Sequence, residues 1–153
     1  MTIESTDVNQ TLQLQLTRGT ALLIIGPQGC GKTALAQRIA GQHGTFQTIS
    51  DRDLLSVFRF GNVMAEEPNT LIVEVDCQIN ARRVPVDLER IHELLNKPTI
   101  LVERKMKWPI EVRAPHLIFC SEELANLATL QLPRYTVVDL APTSTATTTA
   151  SAH

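Results

Sequence analysis

Apolar runs separated by polar, glycine-bearing or proline-bearing breaks set out an alternation of strands and helices along this chain. The run Ala21-Leu22-Leu23-Ile24-Ile25 is short and uninterrupted, as expected for a strand covered on both faces, and it stops at a glycine-rich segment. Next comes KTALAQRIAG, with Leu35 and Ile39 four positions apart and Gly41 placed to stop a helix over 32–40. Thr45 to Ile49 reads as a strand. Ser50 with Asp53 resembles a capping box that starts a short helix through Leu54, Leu55 and Phe58. After the turn at Pro68-Asn69, Leu71 to Val75 forms another apolar strand. Pro85 suits an early helical position, followed by Leu88, Ile91, Leu94 and Leu95 on one face, with Asn96 and Pro98 closing the helix. Ile100-Leu101-Val102, Leu117-Ile118-Phe119 and Thr136 to Leu140 complete the strand candidates, and Ser121 can cap a short helix that has Glu122 and Glu123 in its first turn. Leu12, Leu14 and Leu16 alternate with polar residues, which suggests a half-exposed strand, with a short helix as the alternative. Strands alternating with helices predict an α/β fold of three layers, a mostly parallel sheet of about five strands with helices on both faces.

The ends differ from this middle. Residues 1–10 are polar and 142–153 are rich in Thr, Ala and Ser, so both are expected to be mobile around a single domain spanning 11–141. At 153 residues the chain is long enough for one well-buried core. A net charge of −2 gives no global attraction to nucleic acid, so any such contact has to come from a local basic feature. No apolar stretch approaches the roughly 18 residues needed to span a bilayer, and the N-terminus lacks the pattern of a signal peptide, so a cytoplasmic protein without a membrane partner is expected. Three cysteines, at 30, 77 and 120, match no disulfide or zinc pattern; reduced thiols are the expectation, with a redox-sensitive pocket the less ordinary reading.

The glycine-rich segment carries the chemistry. Gly26-Pro27-Gln28-Gly29-Cys30-Gly31-Lys32-Thr33 fits Gly-x-x-x-x-Gly-Lys-Thr and stands between a buried strand and a helix. Glycines let the backbone curl so that successive amides converge on a phosphate, and the first amides of the helix lack backbone partners. Lys32 is then placed to bridge the β- and γ-phosphates of ATP and Thr33 to ligate Mg²⁺. A metal partner is expected from a carboxylate at the end of a neighbouring strand. In LIVEVD, Glu74 and Asp76 fall on one face of a strand about 7 Å apart, so that one can hold the Mg²⁺ shell while the other polarises a water. Ser121 or Glu122, at the end of another apolar strand, can sense the γ-phosphate or position that water if the strand lies beside the phosphate-loop strand. Arg134 is a candidate arginine finger, within its own subunit or across an interface, and Arg82 and Arg83 are weaker candidates.

Taken together, GPQGCGKT, LIVEVD, RKMKWPIEVRAPHLIFCSE and Arg134 resemble the ATPase core of AAA+ proteins, most closely the compact form in superfamily 3 helicases of viruses and plasmids. The chain also resembles small stand-alone ATP-binding proteins of phages and other mobile elements. This resemblance covers about residues 18–141 and implies a P-loop NTPase fold, ATP and Mg²⁺ as cofactors, and an oligomer or a protein partner. It also implies a hairpin with a basic tip, on which Arg104, Lys105 and Lys107 would touch a nucleic-acid backbone. Trp108 has two readings, a base-stacking ring or a packing anchor beside Pro109. The sequence departs from the family where Val75 splits the acidic pair and where Glu122 stands nearest the sensor asparagine. Two other functions fit the loop: a small-molecule kinase, with Arg82 and Arg83 in a lid, and an ATP-gated binding module that hydrolyses little.

Overall fold

The computed structural model describes residues 2–4, 16–51, 53, 57–75, 88–122 and 131–140. In chain order the elements are β1 (Thr2–Glu4), β2 (Ala21–Ile25), α1 (Lys32–Gly41), β3 (Phe46–Ser50), α2 (Val57–Met64), β4 (Thr70–Glu74), α3 (Leu88–Asn96), β5 (Thr99–Arg104), β6 (Lys107–Arg113), β7 (His116–Ser121) and β8 (Tyr135–Asp139). Among the described residues six strands form one parallel sheet in the order β1-β8-β2-β7-β4-β3, and β5 pairs only with β6, antiparallel.

Strand β2 shows why its sequence is apolar without alternation. Ala21, Leu23 and Ile25 face one core with Phe60 and Met64 of α2, Ile91, Leu94 and Leu95 of α3, and Ile100, Val102 and Val112 of the hairpin. Leu22 and Ile24 face the other, against Leu35, Ala36, Ile39 and Ala40 of α1. Both faces are therefore covered, each fully buried Leu or Ile contributing roughly 1.5–3 kcal/mol, and helices lie on both sides of the sheet. This is an α/β architecture of the P-loop NTPase kind.

Three expectations change. Residues 1–10 were expected to be mobile, yet Thr2–Glu4 pairs in parallel with Val137–Asp139 and adds a sixth strand; backbone pairing at an edge needs no apolar pattern to announce it. Ile100-Leu101-Val102 leaves the main sheet for the β5–β6 hairpin, where Ile100 and Val102 are buried and Leu101 is 69% exposed, so the apolar run conceals a period of two. The acidic strand β4 is not the immediate neighbour of β2, because β7 lies between them. The capping box is present in half: the Ser50 amide donates to the Asp53 carboxylate at 3.2 Å. The strand or helix over 12–15, the loop with Arg82 and Arg83, Pro85, Cys77, Glu123 and the tail 142–153 lie outside the described residues.

The hairpin is seated against α2 by one close approach. A Cβ on Gly61 would overlap the Glu103 carbonyl, so only glycine lets helix and strand meet there. Arg90 of α3 lies over the Phe60 ring at 4.5 Å and closes the same side of α2. Beyond this contact the hairpin turns at Lys105 and Met106, the latter at φ 59°, a left-handed conformation that costs a bulky residue about 1–2 kcal/mol.

Candidate functional site

The glycine-rich loop leaves the C-terminal end of β2 between two strands that hold it. The Gly26 amide donates to the Ser121 carbonyl at 3.1 Å on the β7 side, and the Leu140 amide donates to the Ile25 carbonyl at 2.7 Å on the β8 side. A Cβ on Gly26 would come within 2.6 Å of Cys30 Sγ and 3.2 Å of Leu140 Cβ, so a larger residue there would have to displace the Cys30 side chain. Gly29 and Gly31 take φ 83° and 92°, and the Cys30 amide closes a turn onto the Pro27 carbonyl at 3.2 Å. Gly31 is the N-cap of α1, and no side chain caps the helix there. The first amides of α1 therefore have neither an intrahelical acceptor nor a capping oxygen, and the positive end of the helix dipole faces the loop.

Three predicted strand ends converge on this loop. Ile25 is in register with Ser121, and Glu74 with Cys120, so Glu74 and Ser121 both stand at the edge of the sheet where the loop begins. Although β7 intervenes, Thr33 Oγ1 donates to Glu74 Oε2 at 2.5 Å across 41 residues of sequence. Lys32 Nζ folds back onto the Pro27 carbonyl at 3.0 Å, where an ammonium holds the loop's own oxygen. A cleft of about 580 Å³ opens here, lined by Gln28, Gly29, Gly31, Lys32, Thr33, Glu74, Val75, Cys120, Ser121 and Glu122 among others. Its size is within the range of pockets that enclose small ligands.

The structure thus brings the loop, Glu74, Ser121 and Glu122 together. Asp76, the second member of the acidic pair, lies outside the described residues. Ser121 is buried at the end of β7, while Glu122 is exposed on the cleft wall. Arg134 stands apart. It precedes β8, and in a parallel sheet that places it at the end opposite the loop, where Nε donates to the Gly19 carbonyl at 3.0 Å and Nη2 to Asn96 Oδ1 at 3.1 Å. A γ-phosphate in its own subunit's loop is therefore out of its reach. The direction of β8 was a usable signal, since a residue before a parallel strand cannot share the end from which the phosphate loop leaves.

For a magnesium ion the residues present fit. A hydroxyl and a carboxylate in contact supply two hard oxygen donors, and Mg²⁺ is commonly held by one or two carboxylates with phosphates and waters filling the remaining positions. Among the described residues no group of three or more His, Cys, Asp or Glu side chains could hold a metal. Cys30 and Cys120 are free thiols. Burial, reinforced by the Glu74 carboxylate, pushes the Cys120 thiol up to about 12; it stays protonated and packs as a small apolar group, against the reading of a reactive pocket thiol.

The hairpin takes the position expected for a basic tip. Lys105 and Met106 make the turn, and Lys107 begins β6 opposite Arg104. Trp108 is 87% exposed, so it is not the packing anchor that its proline neighbour suggests.

Solved structures share this architecture. The apo structure of the NrS-1 C-terminal region (305–718) matches at a TM-score of 0.58 and 20% identity over 86% of this chain and 33% of that one. A second NrS-1 C-terminal region structure, an A form, matches at 0.54 and 18% over 85% and 31%. JCV helicase, in complex with a thiazolopyridine acetamide compound, matches at 0.55 and 19% over 90% and 40%. The fold is one shared with these structures, JCV helicase among them. The chain spans about a third to two fifths of the length of these neighbours, and no protein-family model and no curated protein matches it. No helix among the described residues is long and apolar enough to cross a membrane.

Proposed function

We propose that this chain is a Mg²⁺-dependent ATP-binding protein that hydrolyses ATP, of the AAA+ and superfamily 3 helicase-like type, and that it works as an oligomer or with a partner protein on nucleic acid during replication or maintenance of a mobile element. The observation that carries the reading is the contact between Thr33 and Glu74, which joins the helix that follows the phosphate loop to the end of the acidic strand in one cleft. In this reading the loop amides and the first amides of α1 hold the β-phosphate, and Lys32 exchanges the Pro27 carbonyl for β- and γ-oxygens. Thr33 and Glu74 hold the ion, which when bound neutralises charge on the terminal phosphates. Glu122 and Ser121 orient a water towards the γ-phosphate from the β7 side, with Asp76 as the second acid of the family pattern. Arg134, tied to Gly19 and Asn96, serves its own sheet and can meet a phosphate only across a subunit interface. The solvent-facing Lys105 and Lys107 are the groups that meet a nucleic-acid backbone.

The test separates binding from turnover. Glu74→Gln is expected to lower kcat for ATP by about a hundredfold, the scale of a lost general base or metal-positioning carboxylate, while ATP affinity changes by less than about threefold. Parent-like turnover in this variant would remove Glu74 from the mechanism. A parent protein that binds ATP but shows no turnover with Mg²⁺ would favour the ATP-gated binding module.

A further inference from the structure

At the end of the sheet opposite the phosphate loop, where the strands begin, a second polar cluster has no part in the proposed reaction. Thr70 and His116 are register partners at the starts of β4 and β7. Ile72 and Ile118, two residues on, face the core under α1, so strand alternation puts Thr70 and His116 on that same face. Thr70 is fully buried, yet its Oγ1 has no hydrogen-bond partner among the described residues, and neither has the buried Nδ1 of His116. Buried polar atoms are nearly always paired, so two neighbouring orphans single out this corner. It is also firmly held. The Asn69 side-chain amide donates to the His43 carbonyl at 3.0 Å and the His116 amide donates to the Asn69 carbonyl at 2.9 Å, so one residue fixes both histidines. Their ring centroids lie 6.3 Å apart. A Cβ on Gly44, at φ 119°, would overlap the Asn69 amide nitrogen, so only glycine admits Asn69 there. Arg18 reaches the same corner, where Nη1 makes a long 3.5 Å contact to the Ala114 carbonyl, and it has no carboxylate partner among the described residues. Burial lowers the His116 pKa, and the positive charges of Arg18 and His43 lower it further. Among the described residues no carboxylate acts on it.

We infer that Arg18, His43 and His116 form a binding site for a small tetrahedral oxyanion of the phosphate or sulfate kind, separate from the phosphate loop. The guanidinium and the two imidazoles supply the donors. A protonated imidazole needs an acceptor at each nitrogen. For His116 the anion serves Nε2, and the Thr70 hydroxyl, beside it in the sheet, serves the buried Nδ1. Charge decides the class of ligand. A divalent cation would find two imidazoles, no third His, Cys, Asp or Glu among the described residues, and the like charge of Arg18. An anion reverses every one of these interactions, because it draws the guanidinium and favours the charged form of both rings.

The chain has four histidines, so the imidazole Hε1 signals of His43 and His116 can be followed one by one against pH by NMR. Sulfate is the probe, because its charge is constant over the range in which histidine titrates, with chloride at equal ionic strength as the control. Sulfate is expected to move both midpoints to higher pH, and chloride to leave them in place. Arg18→Ala is expected to weaken sulfate affinity, read from the His116 signal, by about tenfold. Arg18 is exposed, so a parent-like melting temperature is expected to show this variant folded. Thr70→Val is expected to reduce the movement of His116 more than that of His43. Sulfate can also enter the phosphate loop, so Lys32→Ala is titrated in parallel. It is expected to show the same movement of both histidines, so that either site can fail without the other. Orthophosphate acting as sulfate does while O-phosphoserine does not would identify a free ion; both acting alike would extend the site to a phosphorylated side chain. Equal movement in chloride and sulfate, or sulfate affinity unchanged in Arg18→Ala, would overturn the site. Micromolar Zn²⁺ shifting both rings where sulfate does not would make the pair a metal site and overturn it equally.

Discussion

The phosphate loop and the hairpin tip both carry lysines at a turn, but they are held in opposite ways. In the loop Lys32 and Thr33 already have protein partners: Lys32 rests on the Pro27 carbonyl, Thr33 on Glu74, and the loop's root is clamped between β7 and β8. At the tip Lys105, Met106, Lys107 and Trp108 extend into solvent, and only the base of the hairpin is packed. In the proposed function the loop is a preformed receptor in which a phosphate replaces existing contacts. The tip depends on what arrives from outside. Preformed contacts favour affinity for one small ligand, whereas an uncovered ring with flanking cations favours a long polymer of repeated units.

The largest expected effect that separates the two regions comes from Gly61. Gly61→Ala should improve the intrinsic helix propensity of α2, yet its Cβ would overlap the Glu103 carbonyl. A net loss of about 2–3 kcal/mol is expected, roughly 5–10 °C in Tm, with weaker oligonucleotide binding and ATP affinity retained in the folded protein. A gain in Tm would show that the hairpin is not seated as described, and an equal loss of ATP affinity would show that the two regions are one unit.

A smaller effect sharpens the comparison from the far end of the sheet. His116 begins β7, and burial, together with the positive charge of Arg18 and the nearby His43 ring, holds its pKa below the ordinary 6.5. The neutral imidazole is the form that suits the fold. Stability from this group is present above pH 6.5 and is lost as pH falls below it, because the unfolded chain takes up the proton first. Melting curves from pH 7.5 to 5 should decline less steeply in His116→Gln than in the parent, whereas ATP affinity at pH 7.5 should be the same in both. Parallel pH profiles would assign the acid sensitivity elsewhere.

How much was legible follows the same division. The loop is eight contiguous residues, and β2, β4 and β7 are buried on both faces, so motif and strands stand out as uninterrupted text. Strand order is set by contacts far apart in sequence, which is why the position of β7 between β2 and β4 was not apparent. Leu101 concealed the alternation of β5 because it is apolar and exposed, and Trp108 was ambiguous because nothing local encodes whether a covering element exists. Gly61 drew no notice, since a glycine within an amphipathic helix has no signature until its partner strand is known. Arg134 was legible in principle from strand direction alone.

The central claim is that main-chain amides and Lys32 hold the terminal phosphates of a nucleotide. Calorimetric titration of ATP, ADP and AMP with Mg²⁺ into the parent and Lys32→Ala tests it most directly. ATP and ADP are expected to bind the parent, AMP far more weakly, and Lys32→Ala to lose about a hundredfold in ATP affinity, the scale of one charge-assisted contact. AMP binding as tightly as ATP, or ATP affinity unchanged in Lys32→Ala, would contradict the account.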